Sequence, residues 1–332
     1  MKHGFRLRRV LPVQLFFYLL LRVVVMVVGM FPFSMAPAMA RVLGRLFRLV
    51  DLKHARIAAK NLGLSPGVCP PERIPAFVDR VYEHLGLGFV EMLMIPRLMG
   101  LHGLSRLVRL ERFDIVEQLL REGRGMIAVI AHQGNWELIG LGVTLAGYPL
   151  SSLARPIENV WIERYLERFR TQTGQRIIPK YHALGEMIRV LQRNEILVVQ
   201  VDQDARHFGI FVDFFGRPAS THRSPALLSL KYGVPIIPVN IYREGGVHHC
   251  VVNEPLRPEE FRGRPDPAKA LTQAYTARME GYIRQHPDQW FWVHDRWKSA
   301  ERAARDHPDQ LDGRYSSVTV AGREGGPPTA GP

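Results

Sequence analysis

The stretch Gly125-Met-Ile-Ala-Val-Ile-Ala-His-Gln-Gly-Asn-Trp-Glu-Leu-Ile-Gly140 decides how the rest of the chain folds. Met126 to Ala131 are apolar and mostly small or β-branched, the composition of a strand buried on both faces. Trp136 to Leu145 is an apolar-rich run of helical length. Between them lies a turn with His132 and Glu137, where Gly134 eases the bend and Asn135 is placed to cap the helix. Inside one helix, His132 and Glu137 would stand about 140° apart, on different faces. With His132 ending a strand and Glu137 in the first helical turn, the carboxylate is expected to fold back onto the imidazole. That pairing makes a base and its orienting acid, at a helix end that favours negative charge. The bland alternative is a buried histidine that only hydrogen-bonds the helix end.

Outward from this block, strands and helices alternate from Glu111 onward. Helices are expected over Phe113–Arg121, Val160–Thr173, His182–Arg193, Thr221–Tyr232 and Pro267–Gln285. Strands are expected over Leu150–Ala154, Arg176–Pro179, Glu195–Val201, Pro235–Tyr242 and His249–Asn253. Phe208–Phe215 reads as a long aromatic loop. The fold class is therefore α/β, with a mixed, largely parallel sheet flanked by helices. Ligands of such sheets bind outside the carboxyl ends of the strands. His132, Arg155 and Asp202 each stand at such an end, which counts against the bland reading.

Upstream, Lys2, His3, Arg6, Arg8 and Arg9 precede an apolar run, Val10 to Ala40, interrupted by Arg22, Pro32 and Pro37. A signal peptide, a single membrane span with Arg22 snorkelling, and a helix in the interface all fit. The apolar region is too long and too broken for a typical signal peptide, so residues 1–40 are read as an uncleaved membrane anchor. Val42 to Leu110 is helical in pattern, and the leucines and methionines of 86–101 suit either ordinary core or an acyl-chain groove. Gly63-Leu-Ser-Pro-Gly67 has the letters of a hydrolase nucleophile elbow, but a helix precedes it and Pro66 follows the serine, so it is a turn. Residues 41–298 form the main domain, with a helical part to 110 and an α/β core from 111. Gln289-Trp-Phe-Trp-Val-His-Asp-Arg-Trp-Lys298 reads either as a membrane-interface belt or as a core-packed terminal strand. Residues 299–332, polar and without periodicity, read as a disordered tail.

Lys and Arg number 44 against 31 acidic residues, a formal charge of +13. Such an excess calls for acidic partners. No zinc-finger or RNP-like spacing and no long Lys/Arg run occurs, which points away from nucleic acid. Arg106, Arg109, Arg112, Arg121 and Arg124 make either a docking face or a solvated one. Cys69 and Cys250 form neither a disulfide framework nor a metal pair. Neighbouring His248 and His249, in a strand, point to opposite faces, so no metal is expected.

Taken together, His132-Gln-Gly-Asn-Trp-Glu137, Ala154-Arg155-Pro156, Val201-Asp-Gln-Asp204, Phe214-Phe-Gly216, Gly233-Val-Pro-Ile-Ile-Pro238 and the aromatic segment 289–298 resemble the lysophospholipid acyltransferase superfamily. Within it, the chain is most similar to the late lipid A (lauroyl/myristoyl) acyltransferases, over about residues 5–300. Each motif is weak alone; their order and spacing are specific. The superfamily uses His-x4-Asp, and Glu137 suits the lipid A branch. A mycobacterial-type mannoside acyltransferase shares the His-x-Gly-Asn-Trp pattern, which leaves the acceptor open.

The resemblance implies an inner-membrane enzyme facing the cytoplasm, with no cofactor or metal. It would move an acyl chain from an acyl carrier protein thioester, or from acyl-CoA, to a hydroxyl of a lipid A precursor. A mannoside or glycerophosphate acceptor, or a non-catalytic membrane-surface scaffold, are the alternatives. His132 is expected as the base and Glu137 as its orienting acid. Arg155 and backbone N–H groups at Gly134 are expected to bind the oxyanion or a phosphate. Asp202 is expected to orient Arg155 or hold an acceptor hydroxyl, with Gln203 and Asn135 also at the substrate.

Overall fold

The computed structural model of the chain describes residues 11–100, 104–180 and 183–306. The basic residues 2–9 and the end of the tail therefore lie outside the described residues.

The core is a seven-stranded sheet in the order β1-β9-β8-β2-β5-β3-β4. Its strands are β1 (Val108–Glu111), β2 (Met126–Ile130), β3 (Leu150–Ala154), β4 (Arg176–Pro179), β5 (Ile196–Gln200), β8 (Ile236–Glu244) and β9 (Val247–Val252). Only the β8–β9 pair is antiparallel. Every residue of β2 is buried, as its uninterrupted apolar run requires in a strand covered on both faces. Alternation sends Ile127, Val129, Leu197 and Val199 to one face, and Met126, Ala128, Ile130 and Ile196 to the other.

The N-terminal part consists of α1 (Leu11–Gly29), α2 (Ala36–Val50), α3 (Leu52–Gly63), α4 (Ile74–Gly100) and the short α5 (Leu104–Leu107). α2 and α4 cross at close range. A side chain at Gly44 would meet the Tyr82 carbonyl at 2.6 Å, and one at Gly86 would meet the Ala40 carbonyl at 2.7 Å. α1 is long and apolar enough to cross a membrane by length and composition. It does not stand clear of the domain. Gln14 donates to the Glu158 carbonyl at 3.3 Å, Tyr18 stacks on Trp161, and Arg22 lies over the Tyr165 ring at 5.1 Å while donating to the Tyr18 hydroxyl. Arg22 is thus held by aromatic rings where snorkelling was expected. The remaining surface of α1, including Phe16, Leu19, Val23 and Met26, is exposed and apolar, which fits association with a membrane.

Covering the sheet are α6 (Phe113–Arg121), α7 (Trp136–Leu145), α8 (Val160–Gln172), α9 (Leu184–Gln192), α10 (Ser224–Tyr232) and α11 (Pro267–Gln285), with α12 (Lys298–Asp306) closing the described chain. Three readings of the sequence change here. The aromatic loop is a hairpin, β6 (Gly209–Phe214) and β7 (Arg217–His222). Its turn, Phe215-Gly216, takes positive φ at both residues (57° and 74°) without the usual Asn-Gly letters. Thr221 and His222 belong to β7, so α10 starts later than expected. Val108–Glu111, read as the end of a helical region, pairs with β9 as an edge strand.

The aromatic segment 289–298 packs into the core, as one of its two readings expected, but without forming a strand. Trp290, Trp292 and Trp297 are at most 2% exposed, and only Trp290 makes a bridge, to Gln133. Asn61 of α3 fixes this segment by donating to the carbonyls of Trp292 (2.7 Å) and His294 (2.6 Å). Residues 299–306, read as the start of a disordered tail, are helical, with Ala300 buried. Gly63–Gly67 is the turn it was read to be, and its buried Ser65 hydroxyl donates to the Asn61 carbonyl.

Candidate active site

β2 and β5 run parallel as neighbours, with Ile130 opposite Gln200. Two residues further on, the same register sets His132 beside Asp202. The His132 backbone N–H donates to Asp202 Oδ2 at 2.7 Å, and ring atom Nδ1 lies 2.7 Å from Oδ1. The indole N–H of Trp290 donates to Oδ2, also at 2.7 Å. Asp202 is 2% exposed. Burial alone would raise its pKa; the His132 charge and the hydrogen bonds from His132 and Trp290 outweigh it and hold the carboxyl at about 2. With Nδ1 committed to the carboxylate, the other ring nitrogen, Nε2, faces the Gln203 amide nitrogen at 3.4 Å. A histidine so held is fixed in one tautomer and orientation, the arrangement a general base needs.

The partner expected for His132 was Glu137, and the structure corrects this. Glu137 turns to α8, where Arg170 donates to both its oxygens (2.9 and 2.6 Å). This bidentate pair is largely buried, and although burial opposes the charge, Glu137 raises the Arg170 pKa. Glu137 still lines the same cavity as His132. Asp202, expected at Arg155 or at substrate, is sealed against His132 instead.

Gly134 is not an oxyanion donor. Its N–H is given to the Gln289 carbonyl at 3.1 Å. Its φ of +61° and the approach of the Ile241 carbonyl, 3.0 Å from where a Cβ would sit, explain the glycine. Asn135 caps α7 by accepting from Leu138 N–H and donates to the buried Glu91 at 2.9 Å. Both groups of its amide are therefore committed to the fold, not to substrate. Glu91 is held in turn by His248 (3.2 Å) and Arg243 (3.8 Å), while His249 faces Glu111 on the other side of β9.

From His132 a cavity of about 550 Å³ is lined by the sheet, by α6 and α7, and by Ala183, Leu184 and Met187 at the start of α9. Ala128, Ile130, Val143, Leu150, Val198 and Val239 are among its apolar walls, and the volume is that of a small-molecule site. Arg155, Lys180, Gln203 and His222 stand around its strand-end portion. The registers explain the first two: Ala154 lies opposite Pro179, so Arg155 and Lys180 are the next residues of paired strands. Arg155 forms no ion pair among the described residues. Burial, with Lys180 and Arg296 nearby, lowers His222 to about 4. Of the arginines read as a possible docking face, Arg112 pairs with Glu254, and Arg124 with Glu122 and Glu259.

Arg170, Lys180 and Trp290 were missed from sequence. Arg170 looked like any exposed helical arginine, and nothing local marks Trp290 as a partner of Asp202.

A sequence profile described as bacterial lipid A biosynthesis acyltransferase matches residues 3–299. A phosphatidylinositol mannoside acyltransferase of Mycolicibacterium smegmatis is 26% identical over 210 residues, covering 59% of this chain and 66% of the relative. Its namesake in Mycobacterium tuberculosis is 24% identical over 247 residues, 72% of this chain and 75% of the relative. A lipid A biosynthesis acyltransferase of Shigella flexneri is 23% identical over 267 residues, 77% of this chain and 83% of the relative. With nearly its whole length matched and a histidine–carboxylate pair at the head of an apolar cavity, the chain belongs to the bacterial lipid A biosynthesis acyltransferase family.

Proposed function

We propose that the protein moves a fatty acyl chain from the thioester of an acyl carrier protein to a hydroxyl of a lipid A precursor, at the cytoplasmic face of the inner membrane. The observation that carries this reading is the placement of His132 on the wall of a largely apolar cavity, with Nδ1 held by buried Asp202. An alcohol is scarcely ionised at neutral pH, so a base must take its proton as it attacks. His132 takes it at Nε2 while the hydroxyl oxygen bonds to the thioester carbon. Asp202 holds the ring and stabilises the imidazolium, the role of the aspartate in the serine-hydrolase triad, itself a worked case of this chemistry. The tetrahedral intermediate then expels the thiolate; the C–S bond breaks and the proton passes from His132 to sulfur. Arg170, steadied by Glu137, and Arg155, which has no ion pair among the described residues, supply positive charge for the oxyanion. The apolar cavity receives the donor chain. The net positive charge suits both an acidic carrier protein and lipid phosphates.

A second reading is favoured by the mannoside acyltransferase relatives: a mannosylated lipid acceptor with coenzyme A as donor. Purified protein given acyl carrier protein and coenzyme A thioesters in turn, with lipid A precursor in mixed micelles, separates the two. Mass spectrometry is expected to show one added acyl chain, with the carrier-protein donor preferred. His132→Ala is expected to lower the rate by about 10²–10⁴-fold. A wild-type rate from that variant ends the assignment of the base.

A further inference from the structure

The cavity at His132 is lined differently on its two sides. His132 follows β2, which lies between β8 and β5 in the sheet. Toward β8 and β9 the walls are Val239, Ile241, Cys250 and Val252; toward β5 and β3 they include Gln200, Ser152 and Gln175. Alternation puts Ser152 on the face of Leu150, and Gln200 on the face of Ile196 and Val198, where most of the apolar walls stand. Val198 pairs with both Ala128 and Ser152, and Gln200 pairs with Ile130. Ser152 is therefore level with a residue four before His132, and Gln200 with one two before it. At strand rise these are depths of about 13 and 7 Å below the histidine.

Two amides at these depths hold polar atoms that the fold does not use. Gln175, 6% exposed, lies just before β4, and its backbone N–H donates to the Arg170 carbonyl at 3.1 Å. Its side-chain nitrogen donates to the Ser152 hydroxyl at 2.9 Å, but its buried Oε1 accepts from no group among the described residues. Gly140 of α7 makes room for this amide, since a Cβ there would lie 3.1 Å from both its nitrogen and its oxygen. The buried Nε2 of Gln200 likewise donates to no described group. Buried amide atoms nearly always have partners, so two left over on one cavity wall point to a ligand.

The chemistry of the two atoms specifies that ligand. One accepts and the other donates, and an alcohol does both through a single oxygen. Ser152 and Gln200 stand diagonally on neighbouring strands, about 8 Å apart at Cα by strand spacing and rise, so the two amides flank one short stretch of the cavity. A plain hydrocarbon chain there would strip both amides of water and return no hydrogen bond. A charged group would find only neutral dipoles at that depth.

We propose that Gln175, Gln200 and Ser152 form a subsite for a hydroxyl in the interior of the donor acyl chain, and so select a hydroxylated donor over a plain one. Gln200 donates to that hydroxyl and Gln175 accepts from it. Both are specificity-determining residues with no part in the bond changes at His132. The inference rests on the reading above that this cavity receives the donor chain.

Calorimetry on the full-length protein, with tetradecanoic acid and its 3-, 6-, 8- and 10-hydroxy derivatives as probes, measures the subsite without turnover. The best of the 6-, 8- and 10-hydroxy acids is expected to bind about tenfold tighter than the plain acid, the worth of roughly one neutral hydrogen bond. Gln175→Met and Gln200→Leu, each checked for folding by thermal melting, are expected to bring that ratio to about one. In steady-state transfer, kcat/KM for the matching thioesters is expected to follow the same order and to lose it in the same variants. A plain acid that binds as tightly as every hydroxy acid overturns the proposal, because the amides then hold only water. So does a maximum at the 3-hydroxy acid, which lies too near the thioester to reach the subsite, or a preference that survives in both folded variants. Discrimination among the acids with no turnover of any thioester defeats the acyl-transfer reading, and the donor assignment falls with it. Turnover of the thioesters without discrimination defeats the subsite alone.

Discussion

The two faces of the sheet are built from the same strands and filled differently. Against one lie Phe214, Phe215, Trp290, Trp292 and Trp297, whose rings meet edge-on or tilted at 4.6–6.4 Å. Against the other lie Met126, Ala128, Ile130, Val143, Leu150 and Ile196, under α6 and α7, and most of the cavity's apolar walls are there, joined at the strand ends by Ala183, Met187 and Val199 of the first face. The faces meet at Asp202, where an indole from the solid side reaches the carboxylate that aims the imidazole of the hollow side.

The largest expected effect tests that meeting point. Asp202→Asn should lower kcat by about 10²–10⁴-fold, the contribution of a positioned base. Glu137→Gln should cost much less, because the histidine keeps its partner. Equal losses in steady-state kinetics would return Glu137 to the orienting role. A smaller effect separates the faces themselves, using two adjacent residues of β2. Val129→Phe pushes into the solid side and should destabilise by about 1–3 kcal/mol in denaturant unfolding. Ala128→Leu projects into the channel; it should cost less than about 1 kcal/mol while shifting the donor preference to shorter chains. If the two variants unfold alike, the faces are equally packed.

The smallest effect is acid sensitivity. His222, at the channel, has its pKa lowered to about 4 by burial, against 6.5 for the free side chain. The unfolded chain binds that proton from pH 6.5 downward and the folded chain only near 4, so stability is full above 6.5 and is lost as pH falls through that window. Replacing His222 with Asn should remove about 1 kcal/mol of the destabilisation seen between pH 7 and 5.5. A pH profile unchanged by the substitution would mean that the ring is freely hydrated in the channel.

Much of this was legible in the sequence because it is local. The apolar run of β2, the helical period of α7 and the Asn135 cap are each specified within a few residues, and α7, β3 and β4 fall where the pattern put them. That polar side chains gather at strand ends was legible too. Which of them touch was not, since it depends on strand order: β2 and β5 are neighbours although two strands and three helices separate them in the chain. Glu137 is close to His132 in sequence, and Asp202 is close to it in space. The Phe215-Gly216 turn escaped because its letters are unusual for its backbone, and β1 because four residues carry too little period to stand out from the helix before them. The tryptophans of 290–297 have the composition of a membrane belt, and only the fold shows them inside.

The Trp290 contact has a consequence for biosynthesis. A ribosome has delivered every strand of the sheet, and the histidine with its acid, well before it delivers that indole. A nascent or truncated chain ending at about residue 285 would have every strand yet lack the tryptophans that pack one face of the sheet, and would hold Asp202 one donor short.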